Sequence, residues 1–480
     1  MRSTKSEMPT ETQSEDRIHG RSWWLAAAAL ALVGFGVLGA LSIYRHDTFR
    51  SNALDLGYLD QVVWNTLQGN LFANSIKGEN WPSYLAGHFA PAIAVAAPLF
   101  WVWDDVRMLL LVQAAVLALA GLPLFALFRD HGQRLGLAAL AAFYLNPWLH
   151  RANLHDFHTV LLAAPLISMA IYGVIRQRYT LTGAVLTALL LVKEDMGLVV
   201  ALFGLYLLLF ERQRAWRWGV LLLILGLAWV ALAVLVLIPS FATSGEYRIL
   251  SLRYAFLGSS PTDAIQTVLR DPLILARQVL RRDKILALVG LLASMAFLPL
   301  LGGALLVIAL PLVWYLQLSD NAGLALLWQW HIAVYLSIFF GAIYVGFKKI
   351  PERWRAVAAG VLLFVSTTAL ILDGSVIQLL RDPGMAPERR QVVRQLMAEI
   401  PPEASVSVQD ELLPHLSHRQ EIFLFPTIEH ADYILMDRLG STYPLQEEDY
   451  QVFWEAAQDP FGYEKIYDGH DFLLLRRQTP

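Results

Sequence analysis

WWLAAAALALVGFGVLGALSI, residues 23–43, decides the fold class. The run carries no charge and exceeds the roughly 18 apolar residues that cross a bilayer core. It is also longer than the about 7–15 residues of a signal-peptide core, and no small-residue cleavage site follows it. It is therefore expected to remain as an anchor. The polar residues 1–21 ahead of it, with Arg2, Lys5, Arg17 and Arg21, read as a disordered cytoplasmic N-terminus.

The rest of the chain repeats the pattern. It is 56% hydrophobic and 16% charged, with a mean hydropathy of +0.48, whereas a soluble domain is about a quarter charged. Apolar runs lie near 23–43, 107–128, 135–150, 159–175, 180–193, 196–210, 217–239, 284–300, 301–318, 326–346 and 354–372. Lys and Arg clusters belong on the cytoplasmic side. RDHGQR (129–134), RQR (176–178), ERQRAWR (211–217) and KKIPERWR (348–355) all fall there if the chain crosses about eleven times. The N-terminus is then cytoplasmic and the C-terminus extracytoplasmic.

Residues 88–103 are also apolar, but counting them as a crossing would put every later basic loop outside. Short and broken by Pro91 and Pro98, they read as a re-entrant or interfacial segment. The loop 45–106, LHRANLHDFH (149–158), KED (193–195), the loop 240–283, SDN (319–321) and the tail then share the outer side.

The fold class expected is an all-α polytopic membrane bundle over 22–372, with a small soluble α/β domain over 373–480. In that tail a helix is expected at 387–399, ended by Pro401 and Pro402, and another at 446–457. Strands are expected at 404–408, 421–425, 433–437 and 472–477. There is no internal repeat and no glycine-rich phosphate loop. The absence of cysteine excludes disulfides and thiol chemistry, and a net charge of −3 gives no reason to expect a nucleic-acid partner.

The chemistry-bearing residues gather in a few polar islands. The loop after the first run holds Asp55, Asp60, Gln61, Glu79 and His88 among Trp64, Trp81 and Tyr84. Asp55 and Asp60 sit about 140° apart on a helix and need not share a face. Asp55, nearest the first run, serves as a general base, a ligand for a divalent ion, or simply a helix N-cap. In HDFH, His155 and His158 point the same way and could share a phosphate or a metal, with Asp156 orienting one imidazole. The alternative is a histidine pair bonded to nearby loops.

KED interrupts two apolar runs with three consecutive charges. Charge beside hydrocarbon costs a few kcal/mol unless paired or watered, so Lys193, Glu194 and Asp195 read as functional rather than as a snorkelling turn. His331, at the outer end of its run, either completes this cluster or bonds a neighbouring helix. His415 and His418 read as local tail contacts.

DLGYLDQVVWNTLQG (55–69), GHFAP (87–91), LLLVQAAVLALAGLPLF (109–125), HDFHTV (155–160), KED, QWHIAVY (329–335) and ELLPHLSHRQEIFLFP (411–426) run in order along nearly the whole chain. Together they resemble a family of uncharacterised prokaryotic polytopic membrane proteins. That family is distantly similar to the GT-C glycosyltransferases, which take sugars from polyprenyl-phosphate carriers at the outer face of the membrane.

The resemblance implies a multi-pass protein of a bacterial or archaeal plasma membrane, acting on a polyprenyl-phosphate-linked sugar. Asp55 matches the essential aspartate of the first outer loop. The implied roles are catalytic for Asp55, Glu194 and Asp195. Asp60, Gln61, Trp64, His88, His155, Asp156, His158, Lys193 and His331 would bind substrate. A divalent cation (Mg or Mn) is an optional addition, with Asp55, His155 and His158 as its candidate ligands. No DxD motif stands in the first loop. The alternatives are a transporter or flippase for a lipid-linked substrate, and a non-enzymatic envelope assembly or binding protein.

Overall fold

The computed structural model describes residues 11–78, 81–243, 254–258, 260–311, 318–319, 330–458 and 462–478. Glu79 and parts of the runs expected at 301–318 and 326–346 lie outside them, as do parts of the 240–283 and 319–321 loops.

Apolar runs bounded by charge became helices. They are α1 (Glu11–Asp47), α2 (Tyr58–Leu67), α3 (Arg107–Phe128), α4 (Gln133–Tyr144), α5 (Pro147–Asn153), α6 (Ala163–Ile175), α7 (Tyr179–Leu189), α8 (Met196–Phe210) and α9 (Arg212–Leu232), followed by helices at Arg282–Ala293, Trp330–Phe347 and Glu352–Asp373. Among the described residues, four helical stretches are long and apolar enough to cross a membrane: Arg21–Asp47, Arg107–His131, Arg212–Phe241 and Glu352–Asp373. The pair Arg282–Ala293 and Leu298–Ala309, bent by 116°, makes up to five. The other apolar helices, at 91–101, 159–175, 179–189, 196–210 and 331–347, have 10–17 residues. At 1.5 Å per residue an α-helix of that length falls short of a roughly 30 Å hydrocarbon core.

Two expected runs are interrupted, each for a local reason. The run at 135–150 stops at Tyr144 and restarts at Pro147, because a residue before proline leaves the helical region. Asn146 then caps α5 by accepting from Trp148 N–H (3.2 Å). The run at 284–300 breaks at Ala296 and Phe297, both with positive φ. Residues 91–101 form a 3-10 helix with Pro98 inside it. α8 and α9 touch backbone to backbone: a Cβ on Gly204 would lie 2.4 Å from Leu223 N, and one on Gly226 would lie 2.3 Å from Gly197 O. Such small-residue contacts bring membrane helices together where no hydrophobic drive exists.

The C-terminal part carries a five-stranded mixed sheet in the order β2-β1-β3-β5-β4. Its strands are β1 (Val406–Val408), β2 (Ile422–Leu424), β3 (Tyr433–Asp437), β4 (Tyr463–Gly469) and β5 (Phe472–Arg477). Its helices, Pro387–Glu399 and Glu447–Ala456, coincide with those expected. β4 was not expected, because YEKIYDG lacks clean alternation; it is an edge strand.

The two sheet faces separate by the period-2 rule. Ile434, Met436, Leu473 and Leu475 join Tyr450 and Trp454 in a core under the second helix. Leu435, Phe472 and Leu474 instead join Leu56, Leu59, Val62 and Ile93 of the first loop. The first loop and the C-terminal sheet thus share one hydrophobic core.

Candidate active site

Asp55 sits on a π-helical turn, Ala53–Gly57, between α1 and α2. Two groups from elsewhere hold the turn. Asn52 N–H donates to Asp156 Oδ2 (2.9 Å), and Ala53 N–H donates to Asp410 Oδ1 (2.8 Å). Asp156 is itself ion-paired with Arg45. Its φ of +62° is one that aspartate tolerates better than most residues.

HDFH is anchored from beneath. Gln113 of α3, fully buried, donates to Asn153 O (3.2 Å) and Asp156 O (2.8 Å) and accepts from His158 N–H (2.9 Å). Asn153 donates to Leu38 O and Ser42 Oγ of α1. These bonds bring His158 Nε2 to 3.5 Å from Asp55 Oδ1. The rings of His155 and His158 stand 5.5 Å apart.

Burial alone raises the Asp55 carboxyl. The bond from His158 and the charges of His158, His155 and Lys77 outweigh it and hold the group below the ordinary carboxylate range. Burial and the adjacent His158 lower His155 to about 4, so it is neutral at pH 7. Asp55 is thus an ionised carboxylate whose side chain keeps 16% of its exposure.

KED forms the second cluster. Lys193 Nζ lies 3.1 Å from Asp195 Oδ2 and 3.4 Å from His331 Nε2. Glu194 Oε1 accepts from His88 Nδ1 at 2.8 Å. Burial pushes Glu194 up, but His88 and Lys193 more than compensate and hold it ionised. Lys193, Glu194, Asp195 and His331 are all buried, whereas the His88 side chain is 23% exposed. Tyr84 bridges the clusters: its hydroxyl donates to Thr159, next to His158 (2.9 Å), and it senses the charges of Glu194, Lys193 and Asp195.

Asp60, Gln61 and Trp64 go elsewhere. Asp60 is fully buried and takes Ser417 Oγ (2.5 Å) and His418 Nε2 (2.9 Å) on Oδ2. Gln61 donates to Ser75 Oγ and to the carbonyls of Arg419 and Gln420. Trp64 stacks on His418. The sequence reading gave all three to substrate; the fold uses them to dock residues 414–422. His415 packs between His46 and Phe49.

Three residues escaped the sequence reading. Lys77 acts on Asp55 and lies over the rings of Tyr58 and Trp81. Gln113 stood in a quoted segment without a role. Asp410 had no local signal at all.

Among the described residues, no group of three or more His, Asp or Glu side chains is arranged to hold a metal.

The family model described as "Predicted membrane protein (DUF2079)" matches residues 45–468. The chain belongs to this family. No curated protein matches it. Among solved structures, the DUF2079 chain is similar to ArnT from Cupriavidus metallidurans. To the crystal structure bound to undecaprenyl phosphate the TM-score is 0.56, and to the apo structure 0.51. Both alignments have 12% identity and cover 95% of this chain and 98% of ArnT. At that identity the likeness establishes a shared fold. This DUF2079 member is a multi-pass membrane protein.

Proposed function

We propose that the protein is an inverting membrane glycosyltransferase that moves a sugar from a polyprenyl-phosphate carrier to an extracytoplasmic hydroxyl acceptor. The observation that carries this reading is Asp55: an ionised, accessible carboxylate against His158, joined through Tyr84 to the group of Lys193, His88 and His331. Undecaprenyl phosphate bound to ArnT, over an alignment spanning nearly both chains, supports the carrier class.

In the reaction, Asp55 takes the proton of the acceptor hydroxyl as its oxygen bonds to the anomeric carbon. The bond from that carbon to the phosphate oxygen breaks. The carrier phosphate leaves with its electron pair toward Lys193, helped by His88. Glu194 and Asp195 hold His88 and Lys193 in place through their close contacts. The reading puts the first loop, KED and the sheet on the outer side, with about eleven crossings and the N-terminus inside.

The test is reconstitution in liposomes with labelled polyprenyl-phosphate sugars. Wild type should transfer label to an acceptor fraction, and Asp55→Asn should lose about 10²–10⁴-fold, the usual worth of a general base. Equal transfer by both proteins, or none by either across the panel, would sink the reading.

A further inference from the structure

We propose that Asp410, supplied by the C-terminal domain, is a positioning residue that fixes the Asp55 turn, so this domain completes the catalytic centre. This rests on the glycosyltransferase reading for its consequence in catalysis, though not for its geometry.

Asp410 follows β1 and is buried at 7% exposure. Its Oδ1 accepts from Ala53 N–H at 2.8 Å, and its Oδ2 accepts from Ser441 Oγ at 3.3 Å. Ala53 opens the π-helical turn on which Asp55 sits two residues later. A helix start leaves N–H groups unsatisfied, and here a residue 357 positions away supplies the acceptor. Asn52 makes no side-chain capping bond, so the turn takes its acceptors from Asp156 and Asp410. Close by, a Cβ on Gly57 would meet Leu413 Cδ2 at 2.5 Å, so the end of the same turn is pressed against the segment after Asp410.

The electrostatics agree with the geometry. Around Asp410 stand Asp55 from the turn, Asp156 from HDFH, the adjacent Glu411, and Tyr443, which senses both Asp410 and Asp55. Arg45 of α1 is paired with Asp156 and also acts on Glu411. Burial, with Asp156 and Asp55, pushes Asp410 up to about 6, against the bonds from Ala53 and Ser441. A carboxyl raised in the fold is stabilising when protonated, and that contribution is lost as pH rises through its folded value. Ionised Asp410 is therefore a cost to folding, incurred beside Asp55.

Two variants separate charge from position. Asp410→Asn keeps an oxygen for Ala53 and an amide that can donate to Ser441, and removes the charge. Asp410→Ala removes both. The first measurement needs no substrate: melting temperature of the purified protein against pH. Asp410→Asn should gain over wild type, with the gain growing from about pH 4 to about pH 6 and then levelling. A gain or loss independent of pH would overturn the charge assignment.

The second is carbodiimide labelling of Asp55, read by peptide mass spectrometry. Asp410→Ala should label faster than wild type, and Asp410→Asn should not. Equal rates in all three would overturn the positioning role. In the transfer assay, Asp410→Ala should fall about ten- to hundredfold in kcat, while Asp410→Asn recovers most of the rate. An Asp410→Asn variant as slow as Asp410→Ala would overturn the positioning role. If wild type transfers nothing, the glycosyltransferase reading fails, yet the melting and labelling results still decide the role of Asp410.

Discussion

Lys193 is the residue at which the proposed chemistry and the stability of the fold meet. It is 6% exposed and ion-paired with an equally buried Asp195. Removing one partner of such a pair leaves an uncompensated charge and costs about 3–5 kcal/mol. Lys193→Met should therefore lower the melting temperature strongly and abolish transfer. In Lys193→Met/Asp195→Leu, most of the stability should return while transfer stays absent. A double variant as unstable as the single one would mean that Lys193 is held by something other than the charge pair.

The legibility of the site also divides at this scale. KED stood out because charge beside apolar runs is costly, and its charges are buried and paired. HDFH stood out by its two histidines at i, i+3. Asp60 is the contrasting case. An aspartate in a polar loop resembles a ligand, but its partners, Ser417 and His418, lie more than 350 residues away, and no local pattern announces them. Asp410 was invisible for the converse reason, since its role exists only once β1 sits against the first loop.

At the scale of elements, helix limits followed from apolar runs and basic flanks. Strands β1, β2, β3 and β5 followed from β-branched and aromatic runs bounded by turn residues. The breaks at Asn146 and at Ala296–Phe297 were missed, because hydropathy reports burial and does not report backbone direction.

The docking of 414–422 on α2 adds a titratable seam. Burial lowers His418, but Asp60, Asp104 and Asp105 outweigh it and raise the group above its ordinary value. His418 Nδ1 lies 2.9 Å from Asp104 Oδ1, on the side away from Asp60. An imidazole raised in the fold stabilises fully below its unfolded value, about 6.5, and the contribution fades as pH rises through the folded value. The melting-temperature difference between wild type and His418→Gln should accordingly be largest below about pH 6.5 and shrink above it. A difference that grows with pH would contradict the Asp60–His418–Asp104 pairing. In the same seam, Gly57→Val should destabilise by about 1–3 kcal/mol through overpacking against Leu413, measured by denaturant or thermal unfolding.

For the molecule as a whole, helical bundle, first loop and sheet form a continuous structure. The hydrophobic core joining Leu56 and Val62 to Val406 and Leu474 ties the sheet to the first loop. A ligand that binds only the folded state raises the melting point of everything coupled to its site. If the proposed function holds, undecaprenyl phosphate at about a hundred times its dissociation constant should add roughly 2.7 kcal/mol. The shift should appear in one cooperative transition covering both bundle and sheet, and Lys193→Met/Asp195→Leu should abolish it. Separate transitions, with only one moved by lipid, would show the two parts to be energetically independent.

The bond from Ala53 to Asp410 has a further meaning during synthesis. The first loop leaves the ribosome early, and its acceptor follows 357 residues later. At about 5–20 residues per second, that is tens of seconds of translation. Through most of this interval the Asp55 turn has only its Asp156 acceptor, and Asp60 lacks its histidine. On the proposed reading, the first loop therefore stands in the bilayer long before its full set of partners has been made.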